Sequence, residues 1–429
     1  MNNKDYKEQS KQHRKDFTRK RKVGFVPMLM ILLRMVRKST QLELDEFREH
    51  ALPLSAASET YTKQAFSESR QKLLPKAFTI LNDELIQGFY NDDDFKTFHG
   101  FRLLAIDGSI IEIPDTEETR ETYGCLNSKA ETKDSVARAR ASHLYDIENK
   151  MTISSVLGHY HDSERALAKC NIEKLNQFEQ PSVRDLVLFD RGYPSLAFML
   201  DLQAQGIEYV MRAKSDFLKE VQQTASEDEW VQVKVTRQRA YELKRKGTPL
   251  PVGTVFHMRV IKIELSTGET ETLLTNVDAT DIRYEDSRDL YAKRWGIESD
   301  FNDLKHKFEV ENFSSIKPLL IEQDFYATIL LNNIASLFEQ EAEAEWYEQN
   351  RGKTLKHQTY RINKNILVGK LRTRLIDMVL TDDPHHRAHL HETFLAEIQR
   401  HVVPVIPGRS YRRKRKHSNR YSNTKKRSL

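Results

Sequence analysis

The chain has 429 residues and a formal net charge of +5; 38% of its residues are hydrophobic and 31% are charged. This length predicts about two to four domains, and the composition indicates a large soluble protein with enough apolar residues to build cores. Its two cysteines, Cys125 and Cys170, lack metal-ligand spacing, which excludes a disulfide framework and indicates a reducing cytoplasm.

Residues 1–95 are predicted to form a helical region with a basic start, KQHRKDFTRKRK. The apolar run VGFVPMLMILL is too short to span a membrane and predicts the start of a buried helix. A signal peptide has a similar form, but no small-residue cleavage site follows the run. Pro75 is expected to end or kink a later helix. Short helices separated by Arg and Lys suit a DNA-binding module, and a plain helical packing domain fits them equally well.

Residues 96–214 change to a mixed pattern of strands and helices. The segment FRLLAIDGSIIEIP is β-rich, and two further strands are joined by a turn at residues 148–150. A helix with Ser163 as its N-cap follows, then the strand DLVLFD, a helix opened by Pro194 and closed by Gly206, and the strand EYVMRAK. This order indicates an α/β domain with a central sheet.

The rest of the chain is predicted as four segments. Residues 215–285 contain three strand-like runs without helices, which predicts an all-β insertion, and a long helix is expected from about residue 287 to residue 307. The segments are the all-β insertion 215–285, the catalytic helix and rest of the core 286–350, a helical C-terminal region 351–407 and a basic tail 408–429. The tail contains no acidic residue, so it suits either DNA phosphates or a solvated, solubilising role.

Two aspartates stand in matching contexts. Asp107 follows the apolar run LLAI and precedes Gly108, and Asp190 follows LVLF and precedes Arg191. Each is predicted at the end of a buried strand, where the sites of α/β sheets gather. A single aspartate there is more often a turn former or helix cap. Two of them on adjacent strands would lie side by side and repel unless a cation binds between them.

The predicted helix at 287–307 carries four polar residues at one spacing. Tyr291, Arg294, Glu298 and Lys305 fall within about 60° of one another on an uninterrupted helix. An ordinary ion pair between Arg294 and Glu298, four residues apart, accounts for part of this stripe. It does not account for Tyr291 and Lys305 on the same face, or for Trp295 beside Arg294.

This set of residues fits phosphoryl transfer on DNA. Carboxylates are the ligands that Mg²⁺ prefers, and two such ions about 3.5–4 Å apart hold the attacking and leaving oxygens in line. Arg294 and Lys305 are expected to hold flanking phosphates, Tyr291 to donate to a phosphate, and Arg191 to contact DNA. Trp295 suits stacking on a flipped base, and core packing explains it equally well.

The three acidic positions and the helix signature together resemble a known family, the DDE transposases of the bacterial insertion-sequence-four group. The resemblance covers roughly residues 20–350 and rests on IDGS at Asp107, FDRGY at Asp190, and Tyr291, Arg294, Glu298 and Lys305 in the spacing Tyr-(2)-Arg-(3)-Glu-(6)-Lys. Each aspartate context is weak by itself, whereas the four-residue signature together with both is specific.

The resemblance implies a ribonuclease-H-like catalytic core with a β-insertion, flanked by helical regions. It implies Asp107, Asp190 and Glu298 as catalytic metal ligands for Mg²⁺, or Mn²⁺, in two sites. It also implies cut-and-paste transposition on double-stranded DNA with terminal inverted repeats, and a homodimer when two ends are held together. A hairpin intermediate belongs to the family, and either Trp230 or Trp295 is the candidate stacking residue. A structure-specific endonuclease of the same fold and a non-catalytic DNA-binding derivative are the alternatives.

Overall fold

The computed structural model describes residues 1, 3–18, 24–34, 39–51, 62–91, 94–126, 136–178, 182–214, 216–265 and 267–406. The basic tail expected at 408–429 therefore lies outside the described residues, as does part of the basic start. The chain divides into two compact units. The first contains residues 1–85, 111–139 and 302–429, and the second contains residues 86–110 and 140–301.

A central β-sheet supports the second unit. Its strands are β1 (Phe101–Glu112), β2 (Arg138–Asp146), β3 (Met151–His159), β4 (Arg184–Phe189), β5 (Glu208–Ala213), β6 (Asp228–Lys234), β7 (Val255–Glu264) and β8 (Thr270–Thr275). They are ordered β3-β2-β1-β4-β5-β8-β7-β6. The β1, β4 and β5 strands run parallel, whereas β5, β8, β7 and β6 pair antiparallel. The mixed α/β architecture with a central sheet is thereby confirmed.

Helices form most of the first unit and part of the second. They are α1 (Lys4–Gln9), α2 (Phe25–Leu33), α3 (Thr40–Ala51), α4 (Lys63–Arg70), α5 (Lys76–Asn91), α6 (Glu117–Tyr123), α7 (Glu164–Leu175), α8 (Leu196–Ala204), α9 (Lys219–Gln222), α10 (Arg237–Arg245), α11 (Tyr284–Ala292), α12 (Trp295–His306), α13 (Pro318–Gln349), α14 (Lys364–Leu380) and α15 (Pro384–Gln399). A short antiparallel pair, β9 (Thr359–Ile362) and β10 (Val402–Val405), completes the elements. Within the described residues, every helix is too short or too polar to cross a bilayer.

The first unit is held by apolar packing and by one buried arginine. The apolar run near the start forms α2, where Met28 and Leu29 are fully buried. Arg70 at the end of α4 donates to the Asp324 carboxylate at 2.6 Å and to the Leu320 carbonyl at 2.8 Å. Because Arg70 is only 2% exposed, these bonds to α13 satisfy a charge that would otherwise be costly to bury.

The segment 215–285 differs from the predicted all-β insertion. It contains the strands β6, β7 and β8, but also the short helix α9 and the nine-residue helix α10. Thr236 caps α10, since its hydroxyl accepts from the Arg239 amide at 3.3 Å, and the RQRAYELKR run that follows consists largely of good helix formers. The three strands extend the central sheet beyond β5.

An ion pair in the interior joins β1 to β4. Arg102 and Asp185 are partners in the parallel register, and two bonds of 2.6 and 2.8 Å join their side chains. Arg102 is fully buried, and its guanidinium also lies 4.7 Å from the centre of the Tyr90 ring. This pair fixes the alignment of the two strands that lead to Asp107 and Asp190.

Candidate active site

Asp107 and Asp190 lie at neighbouring positions of the sheet. The last paired residues of β1 and β4 are Ile106 and Phe189, and each aspartate is the next residue of its chain. The β1 strand itself continues to Glu112, so Asp107 stands where the pairing ends and not where the strand ends. Because parallel strands in register carry equivalent positions side by side, the two aspartates share one edge of the β1–β4 pair.

Local backbone amides orient both carboxylates. The Gly108 amide donates to Asp107 Oδ1 at 2.8 Å, and the Gly192 amide donates to Asp190 Oδ1 at 2.7 Å. A carboxylate with one oxygen fixed by its own chain keeps the other available to a ligand. Gly108 and Gly192 thus orient the carboxylates of Asp107 and Asp190 through their N–H groups.

The single long helix predicted around Glu298 is two helices. The α11 helix ends at Ala292 and α12 begins at Trp295, with Lys293 and Arg294 in a tight turn between them. Backbone hydrogen bonds between residues three apart occur in this turn. The Arg294 amide donates to the Tyr291 carbonyl, and the Ile297 amide donates to the Arg294 carbonyl. Gly296 follows this turn and lies close to Ile147, since a methyl group on Gly296 would be only 3.2 Å from Ile147 Cγ2. The one-face geometry expected for an unbroken helix therefore does not apply.

Arg294 connects two of the three predicted acids. Its guanidinium donates to Glu298 Oε1 at 2.8 Å and to Asp107 Oδ2 at 3.4 Å. The side chain is 8% exposed and its guanidinium lies 5.7 Å from the centre of the Tyr291 ring. The ordinary four-residue ion pair considered from the sequence is present, and it is also part of the acid site.

Burial and like charge together raise the pKa of Asp107 to about 6. Burial is the largest cause, and the negative charges of Asp190 and Glu298 add to it. The Gly108 amide and the Arg294 guanidinium act in the opposite direction. Asp107 is thus a carboxyl whose charged form is disfavoured mainly by burial, and a cation bound beside it would favour the charged form.

This shift predicts an unusual pH dependence of stability in protein freed of divalent ions by EDTA. The pKa of Asp107 rises from 3.8 to about 6 on folding. Between those values the folded protein keeps a proton that the unfolded chain has released, so the free energy of unfolding falls as the pH rises. We expect this group to cost on the order of 2 kcal/mol at pH 7 relative to pH 4. Asp107→Asn should remove that dependence in urea denaturation, and parallel pH profiles for the two proteins would contradict it.

Tyr291 has a different place from the one expected. Its hydroxyl donates to the carbonyl of Phe189 at 3.2 Å, and the residue is 5% exposed. Burial is the main reason that the pKa of this phenol lies above its ordinary value. In this arrangement Tyr291 fastens α11 to the strand that carries Asp190, and a bond to phosphate would require the phenol to leave the Phe189 carbonyl.

The other predicted contacts are distributed differently. Lys305 belongs to the first compact unit, where its ammonium lies 3.4 Å from Glu311 Oε1. Trp295 is 55% exposed at the start of α12, with its ring 5.4 Å from the Arg294 guanidinium, and Trp230 on β6 is 46% exposed. Arg191 is exposed directly after Asp190. Both tryptophans are therefore accessible, and core packing, the alternative considered for Trp295, is wrong.

Two polar residues missed from the sequence lie beside the acids. Glu164 is the first residue of α7, and its carboxylate lies next to Gly108 and Gly192. Tyr193 is fully buried, and Asp107, Glu164 and Asp190 all contribute to its pKa. Tyr193 stood in the FDRGY motif, which gave a signal for it. Glu164 had no local signal beyond its position after a helix cap, since its placement depends on how α7 packs on β3.

The donor set fits divalent metal ions. Carboxylate oxygens are hard ligands of the kind that divalent cations prefer. In the part of the chain that the structure describes, no three acidic, histidine or cysteine side chains already stand in a metal-binding arrangement. Arg294 supplies the positive charge between Asp107 and Glu298. A cation at this position would replace the guanidinium as the partner of the carboxylates.

Comparisons with known proteins place these residues inside a matched region. Residues 99–334 match the family model described as transposase DDE domain, a span that contains Asp107, Asp190 and Glu298. The chain is 24% identical over 275 residues to the transposase InsG for insertion sequence element IS4 of Escherichia coli strain K12. That match covers 63% of this chain and 59% of the relative, so it extends over little more than half of the relative's length.

Solved structures of transposase complexes were also matched. A cryo-EM structure of a piggyBac transposase synaptic complex with hairpin DNA is 9% identical, covers 89% of this chain and 76% of that chain, and has a TM-score of 0.41. A crystal structure of the Mos1 mariner paired end complex with Mn is 15% identical, covers 46% of this chain and 60% of that chain, and has a TM-score of 0.19.

Proposed function

The chain belongs to the transposase DDE domain family, and we propose that it is a DNA transposase. In this proposal it binds terminal inverted repeats, cleaves the DNA strands there and joins the 3′-hydroxyl ends to target DNA. The observation that carries the proposal is the parallel register of β1 and β4, which aligns Asp107 with Asp190 beside the Arg294–Glu298 pair.

Asp107, Asp190 and Glu298 are the residues that would hold the metal ions. Two bound Mg²⁺ ions, or Mn²⁺ in their place, supply Lewis acidity to the attacking and leaving oxygens of a phosphodiester. The amides of Gly108 and Gly192 keep one oxygen of each aspartate in place. The carboxylates are thereby preorganised before DNA arrives, which lowers the cost of assembling the reactive geometry.

Arg294 is the residue best placed to take a phosphate of the bound DNA. Its guanidinium is shared between Asp107 and Glu298, and it would be free for another partner if those carboxylates held a cation. A planar guanidinium then matches two oxygens of a phosphate. Exposed Arg191 contacts a neighbouring phosphate, and exposed Trp295 stacks on a base drawn out of the duplex.

The strand arrangement supports a ribonuclease-H-like core for this chemistry. In the sheet order, β3 and β2 come before the parallel series β1, β4 and β5. The β6–β8 strands with α10 form the insertion between Asp190 and Glu298. The partners proposed are double-stranded transposon ends and target DNA, with two copies of the chain joining two ends.

The test uses the purified full chain and the DNA that flanks its gene. With Mg²⁺, the protein should cut at the inverted repeats that bracket the gene and transfer the 3′ ends into a supercoiled plasmid. Cleavage of branched or flapped DNA without any strand transfer would replace the proposal with a structure-specific endonuclease. Binding of the repeats without cleavage in Mg²⁺ or Mn²⁺ would replace it with a non-catalytic DNA-binding protein.

A further inference from the structure

We propose that Glu164 is a fourth carboxylate of the acid site and binds the same divalent cations as Asp190. The proposal rests on the function proposed above and adds a residue to it. Glu164 opens α7 directly after Ser163, whose hydroxyl accepts the capping bond from the Ala166 amide at 3.3 Å. Since Ser163 serves the helix end, the Glu164 carboxylate is not needed as a cap and extends toward the two glycines beside the aspartates.

The two glycines locate the Glu164 carboxylate. A methyl group at Gly192 would lie 3.2 Å from Glu164 Oε2 and 3.0 Å from Asp190 Oδ1. At Gly108 it would lie 3.6 Å from Glu164 Cγ and 3.7 Å from Glu164 Oε1. Glu164 Oε2 and Asp190 Oδ1 therefore both lie within 3.2 Å of one point, the position that a side chain at residue 192 would take. That position is bounded by hard oxygen ligands.

Arg140 holds Glu164 by one oxygen. Its Nη1 donates to Glu164 Oε1 at 2.5 Å, while its Nε donates to the Tyr160 carbonyl at 3.2 Å. The other oxygen, Oε2, is the one beside Gly192 and Asp190. An anchored carboxylate with one oxygen directed at the site has the arrangement of a metal ligand supported by a surrounding residue.

An unsatisfied buried hydroxyl points to a missing ligand at the same place. Tyr193 is fully buried, and among the described residues its hydroxyl has no hydrogen-bond partner. Burial, followed by the charges of Asp107, Glu164 and Asp190, keeps its pKa well above the ordinary value. Buried hydroxyl groups in folded proteins are nearly always paired. A hydrated cation held by these carboxylates brings water molecules that would accept from Tyr193.

The charge balance agrees with this assignment. Four carboxylates, those of Asp107, Glu164, Asp190 and Glu298, are accompanied by the guanidinium groups of Arg294 and Arg140. The four carboxylates outnumber the two guanidinium groups, which leaves a surplus of negative charge. Divalent cations neutralise such a surplus, and a ligand contributed by Glu164 places one of them on the Asp190 side of the site.

The test measures Mn²⁺ binding to the full chain without DNA, by the electron paramagnetic resonance signal of free Mn²⁺. Glu164→Gln keeps the shape of the side chain and should weaken Mn²⁺ binding about tenfold or more. Glu173→Gln is the matched control, because Glu173 is an exposed acid on the same helix, and its affinity should equal that of the parent. Gly192→Ala, whose methyl group enters the space between Glu164 and Asp190, should also weaken binding.

The outcomes separate this proposal from the one it rests on. Mn²⁺ affinity of Glu164→Gln equal to that of the parent, in a protein that still transfers strands, overturns the role of Glu164 alone. Weakened Mn²⁺ binding in Glu164→Gln, together with a parent protein that never transfers strands, supports Glu164 and overturns the transposase. Should the parent bind no Mn²⁺, both proposals fail. The Mn²⁺-dependent rise in melting temperature gives a second readout, and an equal rise in the parent and in Glu164→Gln also counts against Glu164.

Discussion

Asp107→Asn, Asp190→Asn and Glu298→Gln should each slow cleavage of the transposon ends by at least about a thousandfold, because each removes a charged ligand from a site that works by placing charge against the reacting phosphate. The substitutions keep the volume of the side chains, and hydrogen bonds such as the one from the Gly108 amide can still be accepted by an amide oxygen. The measurement is the rate of strand cleavage on inverted-repeat DNA in Mg²⁺, with binding of the same DNA followed separately.

Asp289→Asn is the matched control for these three variants. Asp289 lies on α11, close in sequence to Glu298, but its side chain is exposed. Its substitution should leave cleavage within about twofold of the parent rate, as expected for a surface change away from the site. Cleavage that survives in all three acid variants would show that the reacting centre lies elsewhere, whereas loss of DNA binding in them would show that the acids serve the fold or the DNA interface.

Arg102→Met should lower the free energy of unfolding by about 3–5 kcal/mol, because it leaves the Asp185 carboxylate without its buried partner. Two bonds join the residues, and Arg102 is fully buried. The double variant Arg102→Met with Asp185→Leu should recover most of the loss, since an apolar pair of similar size removes the unpaired charge. The midpoint and slope of urea denaturation give both values for the transition of the sheet-bearing unit.

Arg184→Met is the comparison that isolates burial. Arg184 is the next residue before Asp185 on β4 and also carries ion pairs, at 3.1 Å to Glu208 and 2.9 Å to Asp281, but its side chain is 54% exposed. Exposed pairs contribute little, so this change should cost less than about 1 kcal/mol. Equal losses for Arg102→Met and Arg184→Met would mean that the interior pair does not hold β1 to β4.

The family and the mixed α/β class could be predicted from the sequence, because both depend on local patterns. A single sequence shows apolar runs such as LVLF and the aspartate that follows each run. It also shows the spacing of Tyr291, Arg294 and Glu298. The family match and the identity to an insertion-sequence-four transposase confirm that resemblance. The assignment of individual residues to metal and DNA stays a prediction.

What could not be predicted depends on contacts between distant parts of the chain. The break before α12 lies beside the close approach of Gly296 to Ile147, a contact between distant parts of the chain that no helical pattern records. Tyr291 was placed on a catalytic face, whereas a carbonyl of β4 accepts from its hydroxyl. Glu164 reaches the acids only because α7 packs against β3. Helix α10, which is capped by Thr236, lies between runs that alternate like strands, and those runs dominate the local pattern.

The buried ion pair between Arg102 and Asp185 affects how accurately β1 and β4 pair during folding. Side chains alternate between the two faces of a strand, so sliding β1 along β4 by one residue would carry every side chain to the opposite face. Here such a slip would also leave the buried Arg102 guanidinium without its carboxylate partner, opposite Arg184 or Leu186. Five residues further along, the same slip would separate the two aspartates. A sheet with β1 and β4 out of register is therefore destabilised in its interior. The Arg102–Asp185 pair thus favours the register that aligns the two aspartates of the site.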